Sequence, residues 1–240
     1  VTHDGYGGLE HCNSTALICS RPDLPRIGVD KASDGYVQLL GLISHEYFHT
    51  WNVKRLRPAE LAPCNYDQEN YTQLLWFFEG FTSYYDDLLL RRAGVIDNAA
   101  YLKLITKTLN HVQQTPGRKV QSVAEASFDA WVKYYRQDEN TANATVSYYT
   151  KGALVAMCLD LKLRQEGRTT LDAVMRGLWA RCQGAAMTEA DVLAVRQEQS
   201  GRSWEAEIQA WVHGKEDLPL PELPFLVEQL CRFHHESDEP

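Results

Sequence analysis

The 240-residue sequence has no run of eighteen apolar residues, no C-x-x-C pair, only three methionines and no surplus of positive charge. The first absence excludes a membrane-spanning helix, which needs about 20 apolar residues, so no membrane partner is expected. The second speaks against a cysteine zinc site or a redox dithiol. The cysteines are Cys12, Cys19, Cys64, Cys158, Cys182 and Cys231, too sparse in a chain of this size for a disulfide scaffold. They read mostly as small buried hydrophobes, which leans towards a reducing compartment. The start, Val1-Thr2-His3-Asp4-Gly5, lacks the basic and then apolar layout of a secretory leader, and a cytoplasmic location is the expectation. A net charge of −8 argues against nucleic acid, because phosphate neutralisation needs a basic field. An acidic chain instead tolerates cationic ligands, such as the free amino group of a peptide.

What is present is an ordinary globular composition, 44% hydrophobic and 23% charged. The first thirty residues suggest short strands at 7–11 and 15–19 around a turn at Asn13-Ser14, then a proline-containing loop. A helix capped by Ser33 or Asp34 is predicted to run to about Trp51, with Val37, Leu40, Ile43, Tyr47 and Phe48 at helical spacing. A second, from about Thr72 to Arg92, is apolar on nearly every side and therefore buried, with Gly94 closing it. Beyond Asp97 every periodic segment reads as a helix, one of them opened by a Thr188…Asp191 capping box. The expected class is α+β and predominantly helical. The expected organisation is one unit over 1–216 (sheet edge and loop 1–32, paired helices 33–95, helical lobe 96–216), then a proline-rich linker and tail over 217–240.

The chemistry is carried by His45-Glu46-Tyr47-Phe48-His49, a His-Glu-x-x-His pattern inside the first predicted helix. Residues four apart stack on one helix face, so both imidazoles can reach a single ion. Glu46 is turned about 100° from His45, beside the ion and able to take a proton from a bound water. A catalytic zinc site uses three protein ligands. Glu79 is the best third candidate, being the sole acidic or basic residue in the apolar stretch from Thr72 to Tyr85. A buried carboxylate without a partner costs several kcal/mol, so it is expected on the metal or, alternatively, on a buried arginine.

Several runs together closely resemble the glycyl aminopeptidase family of metallopeptidases. They are Tyr6-Gly-Gly-Leu-Glu-His11, HEYFHTWNVKRLRP from His45 to Pro58 and LWFFEGFTSYYDDL from Leu75 to Leu88, with Ser127-Phe-Asp-Ala-Trp131 and Tyr148-Tyr-Thr-Lys-Gly152. The resemblance covers about Tyr6 to Leu220. It implies a thermolysin-like metallopeptidase catalytic domain, a gluzincin, with one zinc ion per chain. The family's sheet would be truncated at its N-terminal side here, and a PDZ domain would normally follow the linker.

The resemblance also implies roles for matching positions. Glu10 falls where relatives bind the substrate's free amino group. Tyr149 falls where relatives place the tyrosine that stabilises the oxyanion, with Tyr148 beside it expected in the core. Gly7 and Gly8 would admit substrate backbone. The implied activity is zinc-dependent removal of N-terminal residues, small ones such as Gly or Ala, from peptides with a free N-terminus. An endopeptidase with the same metal site and a non-catalytic peptide-binding module remain as alternatives, and the intact set of His45, Glu46, His49, Glu79 and Tyr149 speaks against the latter. The gap of 29 residues between His49 and Glu79 is longer than in thermolysin-like patterns and implies an inserted loop. Lys54, Arg55 and Arg57 read as a solvated helix end that complements the helix dipole.

Overall fold

Two antiparallel strands, β1 (Gly7–Glu10) and β2 (Thr15–Ile18), pair from Gly7↔Ile18 to Glu10↔Thr15 around the expected turn. The computed structural model describes residues 1–28 and 32–220; Cys231 and the expected linker and tail beyond 220 lie outside the described residues. The Ser33 hydroxyl accepts the Tyr36 N–H at 3.1 Å and starts α1 (Asp34–Phe48). α1 stops earlier than the expected Trp51. His49 keeps helical angles (φ −60°, ψ −17°) as its C-cap, and the chain then reverses through Val53 at φ 145°. The buried stripe of α1 also differs from the expected one. Ile43 and Tyr47 are exposed, while Leu39, Leu42, Glu46 and His49 face inward. Val37, Leu40 and Phe48 pack against the core as expected, so helical spacing identified the helix and part of its inner face, while polar site residues complete the buried stripe.

After the short strand β3 (Arg57–Pro58) comes α2 (Leu75–Arg92). It begins about a turn later than Thr72, with Leu74 as its N-cap, and the Thr72 hydroxyl accepts the Leu74 N–H at 3.2 Å. The Trp76 N–H, also in the first turn, is satisfied from a distance by the Ser127 hydroxyl at 2.9 Å. The helices that follow are α3 (Asn98–Gln114), α4 (Val123–Phe128), α5 (Thr141–Ala144), α6 (Thr150–Gln165) and α7 (Leu171–Cys182). Strand β4 (Ala186–Met187) pairs in parallel with β3. Helix α8 (Glu189–Ser200) has the expected Thr188/Asp191 capping box and ends on Gly201 at φ 76°. Helix α9 (Glu205–Ile208) continues into a π-helical turn.

The described residues are thus mostly helical, with two small two-stranded sheets. No described helix is long and apolar enough to cross a membrane. One connected core runs from Leu56 to Leu220, centred on α2 and α6, with Trp76, Phe77, Phe78, Phe81 and Leu88 fully buried. Each such side chain contributes about 1.5–3 kcal/mol relative to exposure. The first residues of the expected linker belong to this unit: Leu218 and Leu220 are buried, and Asp217 accepts from Arg118 at 3.1 Å and Lys119 at 2.6 Å. The cysteine expectation is corrected. Cys19 and Cys158 are buried, but Cys64 and Cys182 are only half-buried and Cys12 is exposed, all five being free thiols.

α2 and α6 cross backbone against backbone at Gly80 and Gly152. A Cβ on Gly80 would lie 2.5 Å from the Gly152 Cα, and one on Gly152 would lie 2.7 Å from the Trp76 carbonyl oxygen. Both obstacles are backbone and cannot swing aside. Gly80 follows Glu79, and Gly152 lies one helical turn after Tyr149, so this crossing sets the separation of two candidate site residues. Where room exists, replacing a helical Gly by Ala stabilises by about 1 kcal/mol. Gly152→Ala should instead destabilise by about 1–3 kcal/mol through overpacking, read as a lower midpoint in thermal or denaturant unfolding. An unchanged or raised midpoint would show that the crossing is not tight.

Candidate metal centre

The inward stripe of α1 meets α2 at Glu79. The His45 Nε2 and the His49 Nε2 each lie 3.2 Å from the Glu79 Oε2. Ligand atoms held about 2.0–2.1 Å from a tetrahedral ion are about 3.3 Å apart, so three donors at this spacing can surround one ion. The alternative partner for Glu79, a buried arginine, is not what the structure places there. Two imidazoles and one carboxylate are a donor set suited to zinc.

Both histidines are held from behind. The His45 Nδ1 is 3.0 Å from the Asp86 Oδ2, and the His49 Nδ1 is 2.9 Å from the Asn52 carbonyl oxygen. Such partners place the proton on Nδ1 and leave Nε2 free to ligate. The Asn52 side chain is itself tied to α2, donating to the Phe78 carbonyl at 3.3 Å and the Thr82 hydroxyl at 3.2 Å. Val53 follows in a region costing a β-branched residue on the order of 1–3 kcal/mol, a strain sustained by the bonds around it. Backbone bonds from Lys54 N–H to the His49 carbonyl (3.0 Å) and from Leu56 N–H to the Trp51 carbonyl (2.9 Å) close the turn.

The electrostatics favour a cation. Burial alone would lower the His45 pKa, but its hydrogen bonds to Asp86 and Glu79 more than reverse this and carry it to about 10. Burial would raise Glu79, yet the bonds from His45 and His49 hold it at about 2. Each value reports the other partner: the carboxylates hold a positive charge among them.

Glu46 is buried, and burial pushes its carboxyl above the usual range. Its Oε2 has no hydrogen-bond partner. Gly8 packs against it so closely that a Cβ there would lie 2.0 Å from the Glu46 Oε1. The Cβ position at Gly8 is therefore taken by Glu46, whereas Gly7 has nothing within 4 Å. Tyr149 is half-buried, its ring stacked 6.2 Å from that of His45, while Tyr148 is in the core. Burial, and after it the Glu79 carboxylate, push the Tyr149 phenol far above its usual range, so it stays a hydrogen-bond donor.

Glu10, at the end of β1, has a carboxylate oxygen within 4.8 Å of Glu46 and His49 ligand atoms. It does not stand open: the Lys54 Nζ lies 3.1 Å from the Glu10 Oε1. The basic segment is thus not simply a solvated helix end. Glu10, Glu46 and His49 form a second group with metal-ligand spacing among the described residues. It is the poorer set, since it has one imidazole and one of its carboxylates already carries an ammonium.

Reasoning from sequence missed Asp86, Asn52 and Lys54. For Asp86 a signal existed: it lies seven residues after Glu79, two turns on along the same face. Asn52 and Lys54 act through a non-helical turn that periodicity does not reveal.

Residues 38–155 match the family model of the M61 glycyl aminopeptidases. That span includes His45, Glu46, His49, Glu79, Asp86 and Tyr149 and excludes Glu10. A crystal structure of an aminopeptidase N family protein from Idiomarina loihiensis superposes with a TM-score of 0.90 at 43% identity. The match covers 93% of this chain and 39% of that one, so the chain spans about two fifths of that protein's length. No curated protein matches the sequence. The helix pair carrying His45, His49 and Glu79, the Tyr149 segment and the helices between them all lie inside the span that is similar to the M61 glycyl aminopeptidases.

Proposed function

We propose that this chain is the catalytic part of a zinc-dependent aminopeptidase, a thermolysin-like gluzincin acting on peptides with a free N-terminus. The observation that carries the reading is the convergence of His45, His49 and Glu79 next to Glu46, a buried carboxylate with an unpartnered oxygen. His45, His49 and Glu79 would hold one zinc ion. Zinc, when bound, supplies Lewis acidity, bringing the pKa of water to about 7 and polarising the scissile carbonyl.

The remaining work falls to the chain's own side chains. Glu46 takes the proton of the attacking water on its free oxygen and passes it to the leaving amine, and burial, which raises its pKa, strengthens it as the base in the first transfer. Tyr149 donates to the carbonyl oxygen as that oxygen becomes anionic, and one such donor contributes on the order of 3 kcal/mol. Asp86 and the Asn52 carbonyl keep the imidazoles in the ligating tautomer. Glu10 holds the peptide's terminal ammonium by a charge-assisted bond of about 1.5–3 kcal/mol. Small first residues such as Gly or Ala follow from the family resemblance. The pairing of Glu10 with Lys54 favours one rival, an endopeptidase in which Glu10 recognises no amine.

Glu46→Gln should retain the metal, measured by elemental analysis, while turnover of a peptide substrate falls by about 10²–10⁴-fold. Normal turnover in a zinc-loaded variant would move the base elsewhere. N-acetylation of a peptide should cost at least about tenfold in kcat/KM, and Glu10→Ala should remove most of that preference. Equal cleavage of free and acetylated peptides by the wild type would establish the endopeptidase instead.

A further inference from the structure

We propose that Lys54 is a specificity-determining residue whose ammonium occupies Glu10 in the resting protein, so that a peptide binds by exchanging its own terminal ammonium for that of Lys54. The inference rests on the reading of Glu10 as the amine-binding carboxylate, and adds what must happen before an amine can reach it.

The geometry supplies both halves of the exchange. The Lys54 Nζ sits 3.1 Å from the Glu10 Oε1, where a bound α-ammonium would donate. The Lys54 backbone cannot drift, because its N–H is bonded to the His49 carbonyl and Val53 before it is held at φ 145°. Its side chain can. The lysine stem is flexible, with a compact ammonium at its end, and here it is 27% exposed, so water can receive it. Glu10 has less freedom, being at the end of a paired strand.

Charge explains why an occupant is needed. Glu10 stands within ligand distance of Glu46, itself buried, and an unpaired carboxylate there would place two negative groups side by side. Swapping one ammonium for another keeps Glu10 neutralised throughout. A blocked N-terminus has nothing to exchange: it must leave the Lys54 pair intact, or displace it and strand the carboxylate. Lys54 therefore adds a penalty against uncharged ends to the attraction that Glu10 offers charged ones, the two components from which specificity is built. The penalty is also borne by the correct ligand, whose affinity is reduced by the competition. A partly exposed ion pair is weak enough to be displaced.

The test uses the zinc-loaded chain with isotope-labelled lysine, followed by NMR during titration with alaninamide and with N-acetylalaninamide. Lys54→Met identifies the Lys54 signal. Alaninamide should move that signal to the position of a free, solvated lysine with saturable dependence, and N-acetylalaninamide should not. Lys54→Met should bind alaninamide about tenfold more tightly than the wild type, about 1.4 kcal/mol. Lys54→Arg, which keeps a cation on Glu10, should not show this gain. Saturable alaninamide binding that leaves the Lys54 signal in place, or Lys54→Met binding no more tightly, would overturn the exchange. If alaninamide does not bind, or binds equally well to Glu10→Gln, Glu10 is not the amine site and the exchange falls with it.

Discussion

The structure is organised around the Glu79 carboxylate, held between two imidazoles on a neighbouring helix. A buried carboxylate in an aromatic helix is costly unless paired. Its pairing with His45 and His49 at 3.2 Å makes α1 and α2 a single unit. Much else serves to keep that contact in place. The Gly80–Gly152 crossing lets α6 reach α2 closely enough to bring Tyr149 to His45. Asp86 and Asn52 hold the backs of the imidazoles, and the strained turn at Val53 positions the Asn52 carbonyl.

The charge distribution follows the same logic. Glu10, Glu46, Glu79 and Asp86 surround two histidines and one lysine, and an excess of carboxylate calls for a cation. The directions of the shifts agree: the histidines are raised by the acids they touch, and Glu79 is lowered by the histidines. Lys54 supplies part of the compensation on the Glu10 side.

Much of this was legible in the sequence. The His-Glu-x-x-His spacing and the isolated acid in an aromatic helix identified residues that the fold brings together from two helices. The strand pairing around Asn13-Ser14 and the Thr188 capping box were readable because local turn and cap chemistry decides them. What could not be read depends on tertiary contact. On α1 the expected Val37, Leu40 and Phe48 do pack against the core, but Ile43 and Tyr47 are exposed, because Glu46 and His49 occupy positions an apolar stripe would fill. The Lys54–Glu10 pair joins a strand end to a turn 44 positions away, and no periodic signal links them. Nor does any periodic signal show that the missing Cβ of Gly8 accommodates Glu46.

The central claim is that three particular atoms share one zinc ion, and anomalous diffraction at the zinc absorption edge tests it directly. Crystals of the protein grown with zinc should give one strong anomalous peak about 2.0–2.2 Å from the His45 Nε2, the His49 Nε2 and a Glu79 carboxylate oxygen. A peak bound instead by Glu10, Glu46 and His49, or no peak between α1 and α2, would contradict the account.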